Sequence, residues 1–317
     1  MYEGKIIKFY REKYNITQDQ LGHEICSRAQ ICRIENNQAN HSIEIIKKLT
    51  ERLGVDLELE VTKLNKLKTS LDQLHDAIIM QVFDDINTAK EELEKFELIT
   101  ISPYKYFYQL LQIRILLLNN NLEEATNIIK KIQKIEHKLS PYEVNMLKHI
   151  LGIQSLTNKD YPNAIQLLTS IQNDVYKNPE YFYHLAVAYN EIDSNILAYY
   201  YAEKAQQYFQ QMNNYPRAID AELLMIIQVK DAVGDEIINR YKNLINSCNL
   251  CNSPDRKSKI YYYLAYEYFC RKNYEQAKKY YSESMILNEA NPQSLQYILS
   301  LEGYVRSSFD SDLVLNL

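Results

Sequence analysis

Cys248 and Cys251 are separated by two residues, the spacing of a redox dithiol or of half a structural zinc site. A zinc site needs a second such pair or clustered histidines, and the sequence supplies neither: Cys26, Cys32 and Cys270 are scattered and the six histidines are dispersed. An odd total of five cysteines in a long chain argues against a disulfide framework and for free thiols in a reducing compartment. A phosphate-cradling glycine-rich loop, a His-Glu-x-x-His helix and a nucleophile elbow are missing as well. These residues do not assemble an active site. We expect a protein without enzymatic activity, cofactor or metal, whose chemistry is recognition.

The elements available to position recognition residues are helical. With 46% hydrophobic residues over 317 positions the chain can bury a real core, while six glycines and seven prolines are too few for turn-rich β architectures. The fold class expected is all-α. The opening MYEGKIIKFYREKY lacks the apolar stretch of a secretory signal. The densest apolar run, Leu110 to Leu118, is broken by Gln112 and Arg114 and falls far short of the roughly 20 residues of a membrane span. A cytoplasmic protein with no membrane partner is expected. The net charge of −5 confines any contact with nucleic acid to one small face.

The first sixty residues are where such a face could lie. Ile6, Ile7, Phe9 and Tyr10 give an amphipathic helix from Gly4 to Tyr14, interrupted at Asn15 and Ile16. Thr17 is placed as an N-cap, with Gln20 following as in a capping box, ahead of a helix through Ile25. Cys26 and Ser27 turn the chain. Ile31 and Ile34 are the inward positions of a helix to about Glu35, and a further helix runs from near Ser42 to a stop at Gly54. In this frame the string ITQDQLGHEICSRAQICRIENNQANHSIEIIKKLTERLGV resembles the helix-turn-helix of the Cro/repressor (Xre) superfamily. It shares the Thr-Gln start, the Ile-x-x-Ile-Glu recognition helix and the Leu-Gly-Val end, and the likeness covers nearly all of residues 4–61.

That resemblance implies a five-helix DNA-binding domain over residues 1–61, whose recognition helix enters the major groove of a double-stranded operator. Carried over by position, the base-reading residues are Arg28, Ala29 and Arg33, with Gln30 on the border of the same face. Arg28 and Arg33 can each donate two hydrogen bonds to guanine, worth about 1–3 kcal/mol of discrimination. Gln18 with its backbone N–H is the implied phosphate clamp, and Ser27 and Asn37 could add phosphate contacts. Residues 1–61 hold nine Lys plus Arg against ten Asp plus Glu, so one head alone binds weakly and a dimer on two half-sites is expected.

Beyond this domain, Leu64, Leu67, Leu71, Leu74 and Ile78 alternate in steps of three and four. Residues 62–83 are thus either a short dimerising coiled-coil seam or a helix lying on the first of a series of repeats. Leu151, Gly152 and Ala164 recur 34 positions later as Leu185, Ala186 and Ala198, the tetratricopeptide period. A third copy has Leu264, Ala265, Tyr268, Tyr274, Ala277 and Tyr281 in register. Weaker copies lie around Tyr106–Lys134 and Arg217–Asn246, giving about five repeats over residues 84–317, closed by a helix from roughly Gln293 to Ser307. Such repeats stack into a right-handed solenoid whose first helices line a concave face. The inward positions are Arg114, His149, Tyr183, Asn190, Glu222, Tyr262, Tyr266 and Phe269, suited to bond the amides and seat the apolar side chains of an extended peptide. The competing role for most of the 28 tyrosines is to fill gaps between helices.

The domain order, an Xre-type head followed by degenerate tetratricopeptide-like repeats, resembles the RRNPP quorum-sensing regulators of Gram-positive bacteria, the PlcR, PrgX and Rgg group. This implies a homodimeric transcriptional regulator whose repeat domain binds a short signalling peptide, altering oligomeric state or head spacing and hence operator binding. The alternative is a regulator or adaptor whose repeat domain binds a protein partner. Relatives of this architecture that lack the head bind response regulators, which adds a protein-binding or phosphatase-like role.

Overall fold

The computed structural model describes residues 2–38, 42–229 and 235–315, with backbone alone for 310–315. Residues 39–41, inside the string that resembles the Xre superfamily, lie outside the described residues. Every regular element among the described residues is helical, and the chain divides into two compact units with the boundary between Val144 and Asn145.

The first unit opens with four short helices: α1 (Glu3–Lys13), α2 (Gln18–Gly22), α3 (Arg28–Glu35) and α4 (Ile43–Leu53). Each boundary has a local cause. Thr17 and Gln20 form the expected capping box: the Thr17 side chain accepts from the Gln20 N–H, and the Gln20 side chain accepts from the Thr17 N–H at 2.8 Å. Helix α2 stops at Gly22 rather than at Ile25, because a tight turn ties the N–H of Ile25 back to the Gly22 carbonyl. Ser27 and Ser42 cap α3 and α4, and Gly54 ends α4 at φ 65°, a left-handed conformation that glycine adopts without steric cost. Ile7, Leu21, Ile31, Ile34, Leu49 and Leu53 close the core of these four helices. A Cβ on Gly4 would lie 1.9 Å from the Ile34 carbonyl oxygen, so only glycine lets α1 approach α3 this closely.

Helix α5 (Leu57–Met80) starts after the short turn at residues 54–56 and packs on α6 (Phe83–Glu94) and α7 (Lys105–Leu118), the latter paired with α8 (Leu122–Gln133). Leu64, Leu67, Leu71, Leu74 and Ile78 are all buried by the chain itself. The leucine seam is therefore spent on intramolecular packing, which favours a helix lying on its neighbours over an open coiled-coil seam.

The second unit continues as antiparallel helix pairs. Helix α9 (Pro141–Thr157) crosses the boundary and pairs with α10 (Tyr161–Thr169), followed by the short α11 (Asn173–Tyr176). Then come α12 (Tyr181–Glu191) with α13 (Asn195–Gln211), α14 (Tyr215–Gln228) with α15 (Glu236–Leu250), and α16 (Pro254–Cys270) with α17 (Tyr274–Ile286). The closing helix α18 (Leu295–Leu315) extends past the expected end at Ser307. Together these form an all-α architecture of a helix-turn-helix head and a tetratricopeptide-like helical solenoid.

The small residues of the 34-residue period sit at the helix contacts. Ala164, Ala186 and Ala198 are fully buried, and a Cβ on Gly152 would come within 2.5 Å of Leu168. Four of the turns share one device. Asn120, Lys159, Asn213 and Lys272 are left-handed, and the next residue, Asn121, Asp160, Asn214 or Asn273, accepts a bond from the backbone N–H three positions on. Each such cap contributes about 1 kcal/mol. Tyrosines fill the gaps between helices, with Tyr189 stacked on Tyr201 and Tyr268 on Tyr280, both at 5.5 Å. Cys248 is buried in the core of α15, where desolvation pushes its thiol up to about 12.

Candidate nucleic-acid interface and sensing surface

Helix α3 presents Arg28, Ala29 and Arg33 to solvent, with Gln30 half-buried at the edge of that face. Ser27, at the N-cap, and Asn37, left-handed at φ 54° just past the C-cap, are also exposed. Arg33 makes no ion pair among the described residues, so its guanidinium is available to a ligand. Arg28 lies 3.7 Å from Asp19, and both side chains are about two-thirds exposed, at 69% and 67%. A pair so open to water is weak and is easily exchanged for a nucleic-acid acceptor.

Behind this face is a buried polar knot that the sequence reading did not single out. Glu35, 4% exposed, accepts from Arg11 on α1 and from the side-chain amide of Gln18 on α2, the latter at 2.8 Å. Arg11 also donates to the Ile16 carbonyl at 3.0 Å. The three helices are thus pinned through one carboxylate. Gln18 consequently has its amide turned to Glu35, and what it offers outward is its backbone N–H at the start of α2, where the helix dipole favours an anion. Arg52 closes the other end of α2 by donating to the carbonyls of Leu21 and His23.

The candidate sensing residues fall into different settings. Arg114, in the first unit, is 2% exposed. In the second unit His149 is fully buried, with Nδ1 3.0 Å from the Tyr176 hydroxyl and Nε2 2.8 Å from Nδ1 of His184. Neither side chain presents an open face. Tyr183 is half-buried, 4.5 Å from ring centre to the guanidinium of Arg217, and its hydroxyl is pushed up to about 12 mainly by desolvation. Asn190 accepts from Gln228 at 2.7 Å, and Glu222 accepts from Gln206 at 3.2 Å.

Three of the candidates are brought together. Tyr262, Tyr266 and Phe269 line a cleft of about 80 Å³ with Tyr281 of α17 and with Glu302 and Arg306 of α18. Gly303 makes this possible, since a Cβ there would sit 2.3 Å from the Tyr281 ring and hold α18 away. The result is an aromatic floor with an ion-paired rim, Arg306 to Glu302 at 2.7 Å. It can seat an apolar side chain and offer charge to a peptide backbone or terminus.

The sequence reading also missed the partners that tie successive first helices together. Arg217 meets Glu180 at 3.5 Å, Arg256 grips Asp220 through two bonds of 2.9 Å, Gln228 meets Asn190, and His184 meets His149. Their sequence separations are 37, 36, 38 and 35. That near-constant interval, about one repeat, was the available signal.

Among the described residues no helix is long and apolar enough to cross a membrane. Residues 7–59 match the Helix-turn-helix family. No curated protein matches the chain. Among solved structures, the chain is similar to the apo form of the quorum sensor NprR from B. thuringiensis, at 18% identity and a TM-score of 0.69 over 78% of this chain and 72% of that one. NprR in complex with its cognate peptide NprX gives 18% identity and a TM-score of 0.67, over 77% and 73%. A Rap protein complexed with competence and sporulation factor gives 13% and 0.62, over 82% and 73%. The chain therefore carries a helix-turn-helix head, and its fold is shared with NprR and the Rap protein.

Proposed function

We propose that the chain is a transcriptional regulator that binds an operator through α3 and senses a short peptide through its repeat helices. The observation that carries the first half is the exposed face of Arg28, Ala29 and Arg33 on a helix locked from behind by Glu35. The second half rests on the fold shared with NprR, which was solved with its cognate peptide, and on the aromatic cleft of Tyr262, Tyr266 and Phe269. Tyr183, Asn190 and Glu222 extend that sensing surface along the preceding first helices, while Arg114 and His149 are buried and act through packing, each within its own unit.

The near-neutral head makes one copy a weak binder, so two copies on a two-half-site operator are the working form. A peptide acts on such a regulator only by binding one arrangement of the heads better than another. The test is to select bound fragments from the source genome with the full chain, then titrate short peptides encoded nearby while following operator affinity and molecular mass. A peptide that shifts operator affinity supports the reading. Operator binding indifferent to every peptide, but altered by a captured protein, would replace the peptide with a protein partner.

A further inference from the structure

The cleft between α7 and α8, in the first unit, shares no residue with either surface above. Its floor is Ile128, Ile132 and Ile135, and its rim carries Lys105, Lys131 and Lys138. Tyr106, Gln109 and Gln112 complete the α7 side. None of these three lysines enters an ion pair among the described residues, and no carboxylate is among the residues that line the cleft. Lys105 is held only over the ring of its neighbour Tyr106, at 5.7 Å. In a chain of net charge −5, a cleft lined by three lysines and no carboxylate around an apolar floor departs from the average charge.

We propose that this cleft binds a short linear peptide bearing at least two carboxylates alternating with apolar side chains. The lysines supply the charge complement, the isoleucines accept the apolar side chains, and Gln109 offers an amide to the peptide backbone. The dimensions suit a short ligand. Ile128 and Ile132 lie one turn apart on α8 and Ile135 just past its end, a stretch of about 10 Å that about three extended residues cover. The cleft measures about 390 Å³, the scale of a small-ligand site. A folded partner would need roughly 800 Å² of covered surface on each side. A DNA backbone would use the lysines but leave the isoleucines without a partner, since phosphate contacts come from cations and polar hydrogens.

This site shares no residue with the sensing surface of the second unit and does not depend on it. Its test is calorimetry on the full chain with the acidic probe Asp-Leu-Glu-Leu and the basic probe Lys-Leu-Lys-Leu, at about 50 mM and about 300 mM salt. The acidic probe binds at low salt, weakens at high salt, and loses at least about tenfold in affinity in a Lys131→Glu, Lys138→Glu double variant. A Lys131→Gln, Lys138→Gln variant loses less and guards against misfolding, which circular dichroism checks. A Tyr262→Ala, Tyr266→Ala variant binds the probe as wild type does. No binding of the acidic probe, equal binding of both probes, or unchanged affinity in the charge-reversed variant overturns the proposal. Loss of the probe only in the tyrosine variant puts the ligand in the second unit and overturns it too. If the lysine variants lose operator affinity while keeping the probe, the cleft is a DNA contact and the proposal fails.

Discussion

The side-chain amide of Gln18 donates to the carboxylate of Glu35 at 2.8 Å, joining the start of α2 to the end of α3. Arg11 holds the same carboxylate from α1. A charge buried this deeply is tolerated because its acceptor sites are filled by donors, one of them cationic. The angle between α2 and α3 is thereby set by side-chain bonds as well as by the small core beneath them.

Removing that carboxylate should loosen the head. Glu35→Ala leaves the Arg11 guanidinium, with 12% side-chain exposure, without its main partner and frees Gln18. The expected cost is about 2–3 kcal/mol to the head, with a lower first unfolding transition and weaker operator binding. Thermal unfolding followed by circular dichroism, beside DNA anisotropy, reads both. Unchanged stability and affinity would mean that the knot does not organise the interface.

The pair Arg217 and Glu180 makes a comparable prediction for the second unit. Arg217 is 3% exposed, Glu180 is fully buried, and Arg217 also lies against the rings of Tyr183 and Phe209 at 4.5 and 4.9 Å. Arg217→Ala takes the cation from beside a buried carboxylate and should cost about 3–5 kcal/mol. Combining Arg217→Met with Glu180→Gln removes both charges and should recover much of that loss. Urea unfolding of the single and double variants decides it. A double variant as unstable as Arg217→Ala would show that the ion pair is not the origin of the cost.

Alkaline pH should weaken the fold through its tyrosines. Burial pushes the hydroxyls of Tyr181 and Tyr183 up to about 12 from the ordinary 10. The folded chain holds these protons where the unfolded chain releases them. Their stabilising contribution is therefore full below pH 10 and is lost as the pH rises toward 12. The melting temperature should fall across that window, and Tyr183→Phe, which has no proton to lose, should flatten part of the slope. A melting temperature independent of pH there would contradict the assignment.

Local structure was legible wherever the sequence carries a local signal. Thr17 with Gln20, Ser27, Ser42 and Gly54 mark helix ends by caps and a left-handed stop, and these act within a few residues. The 34-residue interval from Gly152 to Ala186 exposed the repeats because close helix contacts demand small side chains. The leucines of α5 were ambiguous for a physical reason: a seam for a partner helix and a seam for the chain's own α6 and α7 have the same spacing. The polar knot of Arg11, Gln18 and Glu35 was invisible because it joins three helices through long side chains, and the burial of Arg114 and His149 depends on neighbours a repeat away. Ion pairs such as Asp220 with Arg256 were in reach only through the recurring interval between first helices.

The central claim, that α3 reads DNA, is tested most directly by fluorescence anisotropy of the full chain on DNA selected from the source genome, at about 50 mM and about 200 mM salt. The comparison is wild type against a joint Arg28→Ala, Arg33→Ala variant, with equal circular dichroism. The account predicts sequence-specific, salt-sensitive binding by the wild type and its loss in the variant, because both side chains are exposed and neither supports the core. Equal binding by the two proteins, or no selected sequence at all, would contradict it.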